Sequence, residues 1–239
     1  MKTTYKAILF DLFGTLLSVS KAAKGQRGKG ARGQGQYTAD ILGLDRKAWN
    51  QACFGKHHDI VTRTDHLETV KRIAHSLDPS IPLYKVRQAA EARQLRFDTA
   101  LLEIEPGILS ILQNLKQQGF ILGLISNAST GEVRAWPESP LAPLFTSVHF
   151  SCQQGVQKPD PEIYCMALAE MTISADAALF IGDGSSEEHM GAEACNIDSL
   201  LVTYFLDASD TQELNRRGKG SKGRIGHIRE LLKMISPEI

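Results

Sequence analysis

The sequence predicts an α/β fold, a doubly wound parallel sheet with an inserted all-helical cap domain, and three observations predict it. From residue 105 onward, short apolar runs of strand length alternate with helical periodicity, the pattern of a parallel sheet covered on both faces. One apolar run of the same kind, Ala7–Phe10, stands near the N-terminus. Between the two lies a stretch with helical spacing and no strand signal, which must be an insertion. The core is therefore expected over residues 1–20 and 105–239, with residues 21–104 supplying a basic Gly-rich linker and a helical cap.

Bulk properties bound the function. A chain of 239 residues buries a substantial core, as one large domain or one domain with a smaller insertion. Its 27 Lys and Arg balance 27 Asp and Glu, so no net field points to nucleic acid or an acidic membrane, and a small partner is expected. Cys53, Cys152, Cys165 and Cys195 form no CxxC pair and no metal spacing with histidine, which reads as a reduced, cytoplasmic chain without structural zinc. Lys2 and Lys6 precede an apolar stretch as in a signal peptide, but Asp11 interrupts it and no cleavage pattern follows. No apolar run reaches the ~20 residues that cross a bilayer. Monomer and homodimer remain equally compatible with the composition.

The elements follow in order. Ala7–Phe10 is a buried strand that ends on Asp11 and turns at Gly14. Lys21 to Gln36, rich in Gly, Lys and Arg, has almost nothing apolar and reads as a mobile loop. It contains Gly28-Lys29-Gly30-Ala31-Arg32-Gly33, a GxGxxG string with no strand before it, so a dinucleotide site is not expected. From Tyr37 to about Phe97 apolar residues recur at spacings of three and four, with Asp65 and Glu68 starting one helix and Asp78-Pro79 ending it. Pro106 opens a helix that stops at Gly119, and Phe120–Ile125 follows as a buried strand. Ser147–Phe150 is a short strand, Asp160-Pro161 caps a helix to about Met171, and Ala178–Ile181 is another strand. Ser186 to Cys195 reads as a helix, Ser199 to Thr203 as a strand, and Ile225 to Ile235 as a terminal helix.

In an open parallel sheet, ligands bind beyond the carboxyl ends of the strands. Asp11, Ser126 with Asn127, Lys158 and Asp183 all fall at such places, so four segments would face one crevice. A carboxylate directly after an apolar strand is costly unless paired, hydrogen-bonded or bound to metal, which marks Asp11 as chemical. Two residues later stands Phe13, whose ring cannot carry a proton.

Taken together, Ile8-Leu9-Phe10-Asp11-Leu12-Phe13-Gly14-Thr15-Leu16, the strand ending in Ile125-Ser126-Asn127, Gln157-Lys158-Pro159-Asp160, and Phe180-Ile181-Gly182-Asp183-Gly184 with Gly191-Ala192 resemble the four motifs of the haloacid dehalogenase-like hydrolases. The resemblance covers the core and not the cap. It implies a Rossmann-like core, an aspartate nucleophile and a magnesium cofactor. On that footing Asp11 attacks the substrate and forms a covalent aspartyl intermediate, while Ser126 and the backbone near Thr15 hold the oxygens of the transferring group. Lys158 neutralises their charge, and Ser126, Asn127 and Lys158 bind substrate. Magnesium is held by Asp11, Asp183 and the backbone carbonyl of Phe13. The implied activity is that of a phosphatase on a small phosphorylated metabolite.

Phe13 departs from the pattern, because most phosphatases of the family carry a general acid-base aspartate there. An aromatic residue at this place resembles the 2-haloacid dehalogenase branch, where halide leaves without a proton donor. Asp183 points the other way, since that branch looks metal-free. An acid beside Asp11 would repel it unless a cation lay between them. A non-catalytic phosphometabolite-binding protein is the third reading. Tyr164 suits a dehalogenase but also suits a packed helix face. Glu187 and Glu188 are placed near the metal, behind its ligands, as orienters of metal-bound water, while Ser185-x-x-Glu188 also reads as a capping box. Ser129 to Glu132 reads as a cap only, Arg216-Arg217 as solvated charge, and His57, His58 and Arg63 as surface or packing residues of the cap. His189 is unassigned.

Overall fold

The computed structural model describes residues 4–19 and 37–237. The loop expected over Lys21 to Gln36 lies outside the described residues.

In chain order the strands and helices are β1 (Thr4–Tyr5), β2 (Ala7–Phe10), α1 (Thr38–Leu42), α2 (Arg46–Ala52), α3 (His66–Leu77), α4 (Leu83–Leu102), α5 (Pro106–Gln117), β3 (Ile121–Ser126), β4 (Ser147–Phe150), α6 (Ser151–Gln154), α7 (Pro161–Met171), β5 (Ala178–Gly182), α8 (Glu188–Ala194), β6 (Asp198–Val202), α9 (Thr211–Arg217), β7 (Arg224–Ile225), α10 (Leu231–Met234) and β8 (Ser236–Pro237). A six-stranded sheet has the order β4-β3-β2-β5-β6-β7, and its pairings are parallel. β1 and β8 form a separate parallel pair.

This sheet is the predicted doubly wound, Rossmann-like core. Alternate residues of β2 serve opposite faces: Ile8 and Phe10 join one apolar cluster, Ala7 and Leu9 the other. Because β2 lies between β3 and β5, the winding reverses direction at its edge. Register then sets the site, for Phe10 stands opposite both Leu124 and Ile181. Asp11, Ser126 and Asp183 thus emerge at nearly one level, at the switch point where such sheets bind ligands.

Helices α1 to α4 enclose a third apolar cluster of their own, with Trp49, Val70, Ile73 and Val86 buried in it. Asp65 caps α3 by accepting from the backbone of Leu67 and Glu68, and Asp78 ends that helix, as the spacing predicts. Toward its C-terminus α4 changes partners, with Ala100 and Leu101 buried in the cluster of the sheet. No helix among the described residues is long and apolar enough to cross a membrane.

Helices α6 and α9 and the short strands β1, β7 and β8 have no counterpart among the expected elements, and two expected helices start later than their spacing suggests. Ile225 belongs to edge strand β7, where its carbonyl accepts from Thr203 N at 3.0 Å. The C-terminal helix starts only after it, because the His227 ring and the Glu230 carboxylate form a capping box around Ile228–Glu230. Likewise α8 starts at Glu188 and not at Ser186, since Ser186 and Glu187 are left-handed, each with φ of 52°. That conformation costs non-glycine residues of order 1 kcal/mol apiece. What accompanies it is the inward turn of Glu188.

Candidate active site

Asp11 leaves β2 into a tight turn whose geometry delivers Thr15. Gly14 has φ of +88° and donates its N–H to Leu17 O at 2.8 Å, while Leu16 N reaches back to Leu12 O at 2.9 Å. The Thr15 hydroxyl thereby donates to Asp11 Oδ2 at 2.8 Å, and Lys158 Nζ donates to Asp11 Oδ1 at 2.7 Å. Only glycine fits this turn. A Cβ on Gly14 would lie 2.4 Å from Asp183 Oδ2. Gly14→Ala is therefore expected to destabilise the fold by about 1–3 kcal/mol, from the wrong φ and the clash together. Urea denaturation checks this, and a loss under ~0.5 kcal/mol would mean that the turn relaxes freely.

Lys158 is fully buried and bridges two acids, donating also to Glu188 Oε2 at 2.5 Å. Its backbone is held by Asn127, whose amide donates to Lys158 O at 2.9 Å and accepts from Lys158 N at 2.8 Å. Both ends of the Asn127 amide are thus engaged by the lysine backbone. Ser126 differs, for its buried hydroxyl has no hydrogen-bond partner among the described residues. An orphaned hydroxyl at a strand end beside Asp11 is a ready donor for a substrate oxygen.

Glu188 corrects the capping-box reading. Its Oε1 accepts from Gly184 N at 2.7 Å, while Ser185 N, the donor a capping box would use, goes to Asp183 Oδ1. Gly182 makes room for it, since a Cβ there would fall 2.2 Å from Glu188 Oε1. Tyr164, buried under the same turn, donates its hydroxyl to Glu188 O at 2.7 Å. Asp183 accepts from Ser185 N at 2.9 Å and from Arg217 Nη1 at 2.8 Å. Asp11, Asp183 and Glu188 can each offer one oxygen within 4.8 Å of the others. Glu187 is exposed at the cavity wall.

The electrostatics follow from burial. Desolvation pushes Asp11 above the ordinary carboxylate range, against the pull of Lys158, and the neighbouring Asp183 charge adds to the rise. Desolvation likewise pushes Glu188 up to about 8, again opposed by Lys158. For Lys158, burial favours loss of the proton, but the Asp11 and Glu188 carboxylates outweigh it and hold the ammonium above its usual value. His189, packed edge-on against Phe180, is lowered to about 4 by burial and by Lys158.

Above these groups opens a cavity of about 1400 Å³, lined by Asp11, Ser126, Lys158 and Asp183 from the strand ends and by Trp49 and Phe97 from the helical insertion. Phe13 lines it too, with its ring edge-on to Phe97 at 5.4 Å. The backbone carbonyl of Phe13 follows Asp11 in the same turn.

Two connections lay beyond sequence reasoning. Arg217, expected to be solvated, is an ion-pair partner of Asp183; the pair Asp210 and Glu213, which caps α9 through Glu213 N, was the available signal for that helix. Glu132, expected to be only a cap, does accept from Ser129 N but is also buried against Arg93 and His58. Nothing local marks a pairing of residues so far apart.

A family model described as haloacid dehalogenase-like hydrolase matches residues 5–194. The glyceraldehyde 3-phosphate phosphatase of Methanopyrus kandleri is 24% identical over 96% of this chain and 97% of that protein. The one from Methanothermobacter thermautotrophicus is 28% identical over 50% of this chain, which spans about half (53%) of that relative. Among solved structures, a dehalogenase with an intermediate complex aligns over 100% of both chains with a TM-score of 0.69 at 17% identity, a likeness of fold.

Proposed function

This chain belongs to the haloacid dehalogenase-like hydrolases, and we propose that within them it is a magnesium-dependent phosphatase acting on a small phosphorylated metabolite. One observation carries the reading: the convergence of Asp11, Asp183 and Glu188 within 4.8 Å beneath the cavity. Three hard oxygen donors converging at one point suit magnesium. Asp11 and Asp183 would hold the ion with the Phe13 carbonyl, Glu188 standing beside them and Glu187 farther out. When bound, magnesium would supply Lewis-acid polarisation of a phosphoryl oxygen. The relatives named as phosphatases support the same chemistry.

The chain's own residues do the rest. An Asp11 oxygen attacks phosphorus, the phosphorus–oxygen ester bond breaks, and its electron pair leaves with the departing group, giving an aspartyl phosphate that water then hydrolyses. Lys158 and Thr15 orient the Asp11 carboxylate, and Ser126 donates its free hydroxyl to a phosphoryl oxygen. The Phe13 ring cannot protonate a leaving alkoxide, so the preferred substrates are phosphates whose leaving group departs as a stable anion. The helical cap, residues 21–104 with its linker, selects among them. The four free thiols support a reduced, cytoplasmic setting.

The second reading, a 2-haloacid dehalogenase, is favoured by the Phe13 ring in the cavity wall. Assays with an aryl phosphate and a 2-chloro acid, each with magnesium and with chelator, separate the two. Magnesium-dependent phosphate release is expected; chloride release that survives chelation would overturn the phosphatase. Phe13→Asp is expected to raise alkyl phosphate turnover, up to ~100-fold if it restores general acid-base catalysis, and no gain would acquit Phe13.

A further inference from the structure

Lys158 serves Asp11 and Glu188, and the third acid has a cation of its own. Arg217 Nη1 donates to Asp183 Oδ2 at 2.8 Å and to the Asp183 carbonyl at 3.1 Å, with the arginine side chain only 19% exposed. Arg217 is anchored in two ways. Its Nε donates to Glu213 Oε1 at 2.7 Å, one helical turn back. Its backbone presses on the turn that carries Asp183, so that a Cβ on Gly184 would fall 2.3 Å from Arg217 O.

We infer that Arg217 is a positioning residue that sets the affinity of the acidic trio for a divalent cation, by competing with that cation for Asp183 Oδ2. The inference rests on the metal reading above. Asp183 Oδ1 accepts from Ser185 N–H, and Oδ2 occupies the space that a Cβ on residue 14 would fill. Two positive charges at one oxygen repel each other strongly in a buried site. A divalent cation at Asp183 therefore has to displace the Arg217 Nη1 contact, while the Nε contact to Glu213 does not depend on it. Without the cation, Arg217 offsets part of the Asp183 charge beside Asp11.

The test is direct binding of Mn²⁺ to the full chain, followed by the electron paramagnetic resonance signal of free Mn²⁺, for the wild type, Arg217→Gln, Arg217→Lys and Asp183→Asn. Arg217→Gln is expected to bind Mn²⁺ about tenfold more tightly, within the usual range for coupled sites. Arg217→Lys, which keeps the charge, is expected near wild type, and Asp183→Asn is expected to lose binding. Arg217→Met, which keeps the aliphatic stem, replaces the glutamine variant if that protein fails to fold. Equal or weaker binding in Arg217→Gln, with Asp183→Asn losing it, overturns the inference and leaves the metal site standing. Failure of every protein to bind Mn²⁺ overturns the metal reading and the inference together.

Discussion

Asp11→Asn is expected to abolish turnover, by about 10⁴-fold or more, the scale on which removal of a nucleophile acts. The substitution is nearly isosteric, and the amide oxygen still accepts one hydrogen bond from either Lys158 or Thr15. The charge and the other hydrogen bond are lost. Burial works against the Asp11 carboxylate, so a neutral side chain removes a desolvation cost that offsets part of the loss of a partner for buried Lys158, and the fold is expected to lose less than the ~3 kcal/mol typical of a broken buried pair. Measured kcat for aryl phosphate hydrolysis, with denaturation curves of the same preparations, checks both halves. Residual activity above about 1% in a fully folded variant would remove Asp11 from the role of nucleophile.

Arg93→Ala and Glu132→Ala are each expected to destabilise the protein by about 3–5 kcal/mol, the scale for leaving a buried charge without its partner. Arg93 lies on α4 and Glu132 on the loop after β3, and their side chains are 6% and 7% exposed with Nη2 and Oε1 2.5 Å apart. His58 adds a 3.2 Å contact to the same oxygen, and Ser129 N donates to Oε2 at 2.8 Å. The pair clamps the helical insertion to the loop that continues from Ser126. Replacing both partners by apolar residues, Arg93→Met with Glu132→Leu, is expected to cost much less than the singles sum to. Urea denaturation of the four proteins decides, and singles below about 1 kcal/mol would show that the clamp carries no stability.

The same carboxylate makes stability depend on pH. Burial alone would raise the Glu132 carboxyl, but His58 and Arg93 outweigh it and hold the group well below the usual carboxylate range. A folded value below the unfolded one means that its stabilisation is complete above the unfolded pKa, roughly 4.3, and is lost as pH falls through the folded value. The wild type should therefore lose stability below about pH 4.3 more steeply than Glu132→Gln, which has no carboxyl to protonate there.

Much of the site was legible because its groups sit at strand ends. A buried strand, an acid and a glycine turn are encoded within ten residues, and each can be read without knowing what packs nearby. The placements of Asp11, Thr15, Ser126, Lys158 and Asp183 around one crevice follow from that local code and from the topology of parallel sheets. Glu188 was harder to read, since a capping box and an inward carboxylate share one sequence pattern. Its choice was settled by Lys158, Gly182 and Gly184, which make the interior position both paired and roomy.

By itself the sequence determined the core strands of the sheet with its inserted helices, the order of its longer elements and the acid at the head of the first core strand, because periodicity, capping and turn chemistry act over a few residues. Only the tertiary structure decided which charges answer one another. Arg217 meets Asp183 across 34 positions and Arg93 meets Glu132 across 39, distances over which no local pattern persists. Such pairs exist because the fold brings two segments into one low-dielectric volume, where an unpaired charge would be costly and a partner is required.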